Sequence, residues 1–186
     1  MKKTYFTTRT MALVGVMAAM VFAMTYIGID IPTALGKTKL HFGNIMCLLA
    51  ALLFGPVTGG LAAGIGSALF DLMDPMWAPE CWITFLTKFA MAFVAGLLIR
   101  KLPEGRYRPW AAALGGSLTY STLYIAKNVV EALVVKGFTW QVTKVEVLAA
   151  KVPVTVVNGL LAVVCAAILY TALRPALRRA HVLAPQ

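Results

Sequence analysis

Three lysines, Lys88, Lys127 and Lys151, stand inside stretches of sequence that are otherwise almost wholly apolar. An ionisable group deep in a bilayer costs at least ~2.5 kcal/mol on insertion scales, and it faces a bundle interior or a wet cavity rather than lipid. Counted from the predicted helix ends, each lysine lies about six to eight residues deep, roughly 9–12 Å at 1.5 Å per residue. Three different helices therefore place a cation at a similar depth. Asp71 closes a neighbouring span on that side, Glu131 stands one turn from Lys127, and Asn128 and Asn158 add amides. Such a set describes a polar pocket that holds an acceptor-rich solute through charge-assisted hydrogen bonds. A competing reading pairs Lys127 with Glu131 at i,i+4 and sends the other lysines to the headgroups. Trp77, Trp82, Tyr120, Tyr124 and Trp140 fall near the same surface, where they either stack on a planar ligand or form an interfacial belt.

Other chemistries find no support. The sequence contains no His-Glu-x-x-His, no nucleophile-elbow serine and no paired-carboxylate arrangement. Its two histidines, His41 and His181, lie outside the apolar blocks. Gly36-Lys37-Thr38 imitates the end of a phosphate-binding loop, but that motif needs a glycine five positions before its last one, and position 31 is Ile31. The chain is therefore expected to be neither an ATPase nor any other enzyme by itself, and no cofactor is expected. Cys47, Cys81 and Cys165 lack metal-ligand spacing and read as small buried hydrophobes.

The elements that must position these residues are membrane helices. Hydrophobic residues make up 60% of the chain and charged residues 13%, against about a quarter charged in a soluble domain. A bilayer core of ~30 Å needs about 20 apolar residues per helix. The apolar blocks read as six spans, at 11–29, 43–54, 56–73, 81–99, 110–135 and 145–173, which leaves no stretch for a soluble catalytic domain. The second is too short to cross alone, so it tilts into a protein-lined space or borrows length from its flanks. Met1-Lys2-Lys3 and the run to Ala23 imitate a secretory signal peptide, yet read as an uncleaved first span, since every later block is also apolar. A net charge of +10 would suggest nucleic acid in a soluble protein. Here its placement decides: ten lysines and arginines fall on one side of a six-span topology, against four (Lys37, Lys39, Lys136, Lys144) on the other. The positive-inside rule then puts both termini, the basic loop 100–109 and the basic tail 174–186 in the cytoplasm.

Small residues form a second pattern. Ala12, Gly15, Ala19 and Ala23 recur at intervals of three, four and four on one face of the first span. Such a face admits another backbone closely, either within the bundle or on a partner helix. In the third span Gly59, Gly60, Ala63, Gly64 and Gly66 read as internal packing.

Taken together, these residues resemble the substrate-binding (S) components of energy-coupling factor (ECF) vitamin transporters, in particular the riboflavin-type subgroup. The likeness covers nearly the whole chain. It is carried by Leu40-His41-Phe42-Gly43-Asn44 through Phe54-Gly55-Pro56, by Gly64-x-Gly66-Ser67-x-x-x-Asp71, by Trp77-Ala78-Pro79 and Thr87-Lys88-Phe89, and by Pro153 to Asn158-Gly159. The resemblance implies an all-α integral membrane protein of the prokaryotic plasma membrane, one compact domain over 1–186 built as a bundle of six transmembrane helices. It also implies a vitamin-like small molecule bound near the outer surface beneath a lid at 30–42. The implied partners are a transmembrane coupling (T) subunit and two ATPase subunits. In the family the first span docks on the coupling subunit through an Ala-x-x-x-Ala motif. The matching positions are Gly15, Ala19 and Ala23, where glycine departs from the strict motif but keeps the close approach. Delivery is thought to occur by toppling of the S component in the membrane.

On this basis Lys37, Lys39 and His41 are expected in the lid. Asn44, Asp71, Trp82, Lys88, Tyr124, Lys127, Asn128, Glu131, Lys151 and Asn158 are expected to line or support the pocket. Some members of the family carry aspartate where Asn44 stands, so the resemblance does not carry over ligand charge. The lysines of the fifth and sixth spans point instead to a carboxylate, a phosphate or another acceptor-rich edge. Riboflavin, a vitamin B6 form, a thiamin precursor and pantothenate all remain open as ligands. Two other functions compete. A self-sufficient secondary carrier or channel predicts an inverted repeat and charges at the bilayer midplane. A membrane enzyme acting on lipids predicts a carboxylate or histidine cluster, for which Asp71, Asp74 and Glu80 are a weak candidate.

Overall fold

The computed structural model describes residues 7–33 and 36–183; Lys2 and Lys3, counted above toward the cytoplasmic side, lie outside them. Helix α1 spans Thr8–Tyr26 and is capped by the Thr7 hydroxyl, which accepts from the Thr10 N–H. A β-hairpin follows, made of β1 (Gly28–Thr33) and β2 (Gly36–His41). The remaining chain is helical: α2 (Gly43–Phe54), α3 (Pro56–Leu72), α4 (Cys81–Lys101), α5 (Arg108–Val130), α6 (Trp140–Glu146) and α7 (Val152–Arg179). A 3₁₀ turn at Ala78–Glu80 leads into α4. One π-helical turn, Glu131–Val135, extends α5, and another, Val147–Lys151, joins α6 to α7. Three helical stretches, Thr8–Tyr26, Ala78–Lys101 and Trp140–Arg179, are long and apolar enough to cross a membrane.

Helix α2 occupies the centre. Its residues from Gly43 to Leu53 are all buried, as an all-round apolar helix requires. Its 12 residues are tolerated because α1, α3, α4 and α7 enclose it, so no backbone polar group meets lipid. The break to α3 is local chemistry. Gly55 takes φ 87°, open to glycine at no steric cost, and Pro56 opens α3 where its missing N–H is harmless. The fully buried Leu48, Leu52, Met91, Ile99 and Val21 form the core around α2.

The glycines of α3 bring helices together. A Cβ on Gly59 would lie 2.6 Å from the Ala51 nitrogen of α2, and one on Gly66 2.8 Å from the Val21 Cβ of α1. Internal packing is thus their role. The α1 stripe has the opposite fate: Ala12, Gly15, Ala19 and Ala23 are exposed, while Met17, Ala18, Val21 and Thr25 face the bundle.

Several boundaries depart from the sequence reading. The segment 30–42, expected as an irregular loop, is mostly antiparallel strand, with Gly28 opposite His41 and Thr33 opposite Gly36. Arg100 and Lys101 belong to the last turn of α4, and Arg108 opens α5. The presumed tail from position 174 is helical as far as Arg179 in spite of Pro175, since Ala176, Leu177 and the arginines are good helix formers.

Candidate ligand-binding site

Beneath the hairpin lies a cavity of about 270 Å³, near the lower end of the roughly 300–1,000 Å³ usual for small-molecule sites. Each helix turns one polar face toward it. On α3, Ser67 and Asp71 are spaced i,i+4; on α4, Thr84, Thr87 and Lys88; on α5, Tyr120, Tyr124 and Lys127; on the π-turn and the α7 it leads into, Lys151, Thr155 and Asn158. This is the spacing that stacks side chains on one side of a helix.

Lys88 is almost wholly buried, 3% exposed. Its ammonium donates to Asn44 Oδ1 of α2 and lies 3.7 Å from the centroid of the Tyr120 ring. Nearby, His41 Nδ1 accepts the Gly43 N–H at 3.1 Å. Burial, then Lys88, then Lys39 hold this imidazole well below the usual histidine range, so it is neutral at pH 7, with the proton on its other ring nitrogen.

The hairpin is fastened to the helices along the free edge of β2. Asn158 Oδ1 accepts the His41 N–H at 3.0 Å, and Asn158 Nδ2 donates to the Lys39 carbonyl at 2.8 Å. Lys151 Nζ donates to the Lys37 carbonyl at 3.3 Å. Lys151, at the end of the π-turn, and Asn158 of α7 stand seven positions apart, about two turns, so two side chains do the work of a third strand and satisfy an edge otherwise left open. The Thr38 and Tyr124 hydroxyls meet at 3.1 Å.

Ion pairs occupy the rim. Lys127 bridges Glu80 and Glu131, both at 2.6 Å, and Lys136 reaches Glu131 at 3.5 Å. Lys37 pairs with Asp74 at 2.5 Å and with Asp30 at 3.4 Å, while Lys39 stands 3.7 Å from Asp30. The Asp74 hydrogen bond holds the Lys37 ammonium above the ordinary lysine range, and the same bond holds Asp74 below the ordinary carboxylate range. Lys37 also lies 4.5 Å over the Trp77 ring and Lys39 4.6 Å over Phe70. Cation–π attraction of this kind is strongest where water is excluded.

Of the residues expected from sequence, Lys37, Lys39, His41, Asp71, Lys88 and Tyr124 line the cavity, as do Lys127, Asn128, Glu131, Lys151 and Asn158. Asn44 does not line it but stands behind Lys88 as its hydrogen-bond acceptor. Trp82 is a correction: it is 61% exposed and off the wall, because it precedes Ile83 and Thr84 by a rotation that turns it outward on α4. The three intramembrane lysines do share one cavity, but Lys127 is also tied to Glu131 as the competing reading had it. Sequence reasoning passed over Thr25, Ser67, Thr84, Thr87 and Thr155, whose hydroxyls also line the wall. For Ser67, Thr84 and Thr155 the i,i+4 spacing from Asp71, Lys88 and Lys151 was the available signal. Phe70, Met76 and Ile83 gave none, being apolar residues among many. Among the described residues, no group of three or more His, Cys, Asp or Glu assembles that would hold a metal ion.

One solved chain, from a study of the structure and mechanism of the S component of a bacterial ECF transporter, superposes with a TM-score of 0.63. The match covers 91% of this chain and 97% of that one at 20% sequence identity, and so establishes a shared fold. An uncharacterized protein of Pyrococcus woesei is 49% identical over 51 residues, 27% of this chain; the aligned part spans about a third (34%) of that relative's length. The model of the family described as ECF-type riboflavin transporter, S component, matches residues 5–175. With nearly its whole length matched, this chain belongs to the ECF-type riboflavin transporter S-component family.

Proposed function

We propose that this protein is the membrane-embedded binding subunit of an ECF-type importer and captures a vitamin or related small metabolite in the cavity under the β1–β2 hairpin. The observation that carries this reading is the cavity itself: polar faces of α3, α4, α5 and α7 converge under a hairpin that α7 fastens by its edge. Aromatic faces at Phe70, Trp77, Tyr120 and Tyr124 border it and suit a planar ring, whose edge atoms the lysines, threonines and amides then bond. The lysine and arginine bias supports an extracellular cavity mouth with both termini in the cytoplasm. Segment 30–42 acts as the lid, and its release admits the ligand.

The stripe Ala12, Gly15, Ala19 and Ala23 is exposed, and among the described residues a Cβ built on Gly15 meets no atom within 4 Å. This supports α1 as the face that docks on a transmembrane coupling subunit, with two ATPases supplying the energy and reorientation of the binding subunit delivering the ligand inside. The test has two parts. Mass spectrometry of small molecules released from the gently purified chain is expected to recover one compound of vitamin size. Uptake of that compound by cells is expected to cease when the ATPases are deleted; uptake that persists without them refutes the reading.

A further inference from the structure

Six lysines border the cavity: Lys37, Lys39, Lys88, Lys127, Lys136 and Lys151. Four of them have a carboxylate within 4.0 Å: Lys37 and Lys39 at Asp30, Lys37 also at Asp74, and Lys127 and Lys136 at Glu131. Lys88 and Lys151 differ. Among the described residues their hydrogen-bond partners are neutral, the Asn44 amide oxygen and the Lys37 carbonyl, and both are almost wholly buried, at 3% and 2% exposure. Lys151 spends its bond on holding the hairpin. Lys88 lines the cavity with Asp71, which acts on it through space without closing to an ion pair or taking its hydrogen bond. An ammonium out of water is stabilised best by an anion that also accepts its remaining hydrogens, since it has three donors and one amide oxygen satisfies only one.

Resting on the binding-subunit reading, we infer that Lys88 is the residue that selects an anionic ligand, and that the carboxylate or phosphate of that ligand seats on the cavity floor against the Lys88 ammonium. The more numerous rim lysines are not the anchor, because Glu80, Glu131, Asp30 and Asp74 already neutralise them. The neutral His41 supplies a second donor on the same wall. The ring nitrogen not engaged by the Gly43 N–H carries the proton, and an anion accepts it where a cation would not. Asn44 sets the selectivity by being an amide. An aspartate of nearly the same shape at that position would supply Lys88 with a permanent counter-ion and leave no demand for an anion from the ligand.

The full-length chain in detergent micelles is titrated with matched probes that differ by one charged group: nicotinate against nicotinamide, pyridoxine 5′-phosphate against pyridoxine, and flavin mononucleotide against riboflavin. The anionic member of at least one pair is expected to bind the parent protein about tenfold or more tightly than its neutral counterpart, the scale of one charge-assisted contact. Asn44→Asp and Lys88→Met are each expected to erase that preference, bringing the two members of the pair to within about threefold of each other. Asn44→Asp keeps side-chain shape and charge-balances the site, so it reports on selectivity even if Lys88→Met unfolds. Equal binding within every pair, a preference that survives Asn44→Asp, or no binding by any anionic probe overturns the assignment. A neutral compound recovered from the purified chain would overturn this inference and leave the binding-subunit reading standing; ATPase-independent uptake would strike that reading instead.

Discussion

Replacing Asn158 with leucine removes both hydrogen bonds that tie the β2 edge to α7 and keeps nearly the same side-chain volume. The His41 N–H and the Lys39 carbonyl, at 3.0 and 2.8 Å from the amide, lose their partners together. A typical intramolecular hydrogen bond contributes about 1 kcal/mol net, so the fastened hairpin is expected to lose about 2 kcal/mol relative to its released form. At 1.4 kcal/mol per factor of ten, that is roughly a thirtyfold shift toward release. The hairpin stays attached through the Lys37–Asp74 pair and the Thr38–Tyr124 contact, so the effect is a local opening rather than unfolding. Amide hydrogen exchange on the ligand-free chain in micelles reads this directly, because protection reports the opening free energy of the local unit. The His41 amide is expected to exchange roughly thirtyfold faster, while the Gly59 amide, bonded to the Gly55 carbonyl at 2.9 Å in the core, keeps its protection. If His41 exchange rises by less than about threefold, the edge is not held by Asn158 and the account of the lid fails. The same variant weakens ligand affinity by whatever fraction of closed hairpin it removes.

The glycines separate packing from docking. Gly66→Val forces a Cβ to 2.8 Å from the Val21 Cβ and is expected to lower stability by about 1–3 kcal/mol in thermal unfolding, whereas Gly15→Val leaves stability unchanged and abolishes capture of the coupling subunit in a co-purification assay. The Lys37–Asp74 pair makes attachment of the hairpin depend on pH at both extremes. Asp74 is lowered from its ordinary 3.8, so its contribution is present above that value and is lost as pH falls through the depressed one; Lys37 is raised from 10.5, so its contribution holds below 10.5 and is lost as pH rises through the elevated one. Tryptophan fluorescence, which senses Trp77 beneath Lys37, is expected to show an acid step that Asp74→Asn eliminates. Trp82→Ala is expected to leave the amount of co-purified small molecule unchanged in native mass spectrometry, whereas Trp77→Ala lowers it, because only Trp77 borders the cavity.

What the amino-acid sequence determined by itself is what local chemistry controls. Apolar runs predict the helices, and Gly55-Pro56 predicts the break after α2 to the residue, because a positive φ and a missing N–H act on their own neighbours. Buried ionisable residues in apolar runs mark the cavity, since lipid tolerates no unpaired charge. Lys88, Lys127 and Lys151 were legible for that reason, and the threonines beside them were not, since a hydroxyl bonded to its own helix costs little anywhere. Tertiary structure alone decided how those charges are spent. Lys127 is claimed by Glu80, 47 positions away, and Lys88 by an amide 44 positions away; neither distance is written in any local pattern. The hairpin escaped notice because Asp30 to Phe42 is polar, and a two-stranded ribbon needs outside support, which Asn158 and Lys151 provide from the far end of the chain. Helix rotation was equally non-local. Whether the small-residue stripe of α1 turned inward or outward, and whether Trp82 or Trp77 met the cavity, depended on which face packed best against its neighbours, a competition settled only when all the helices were in place.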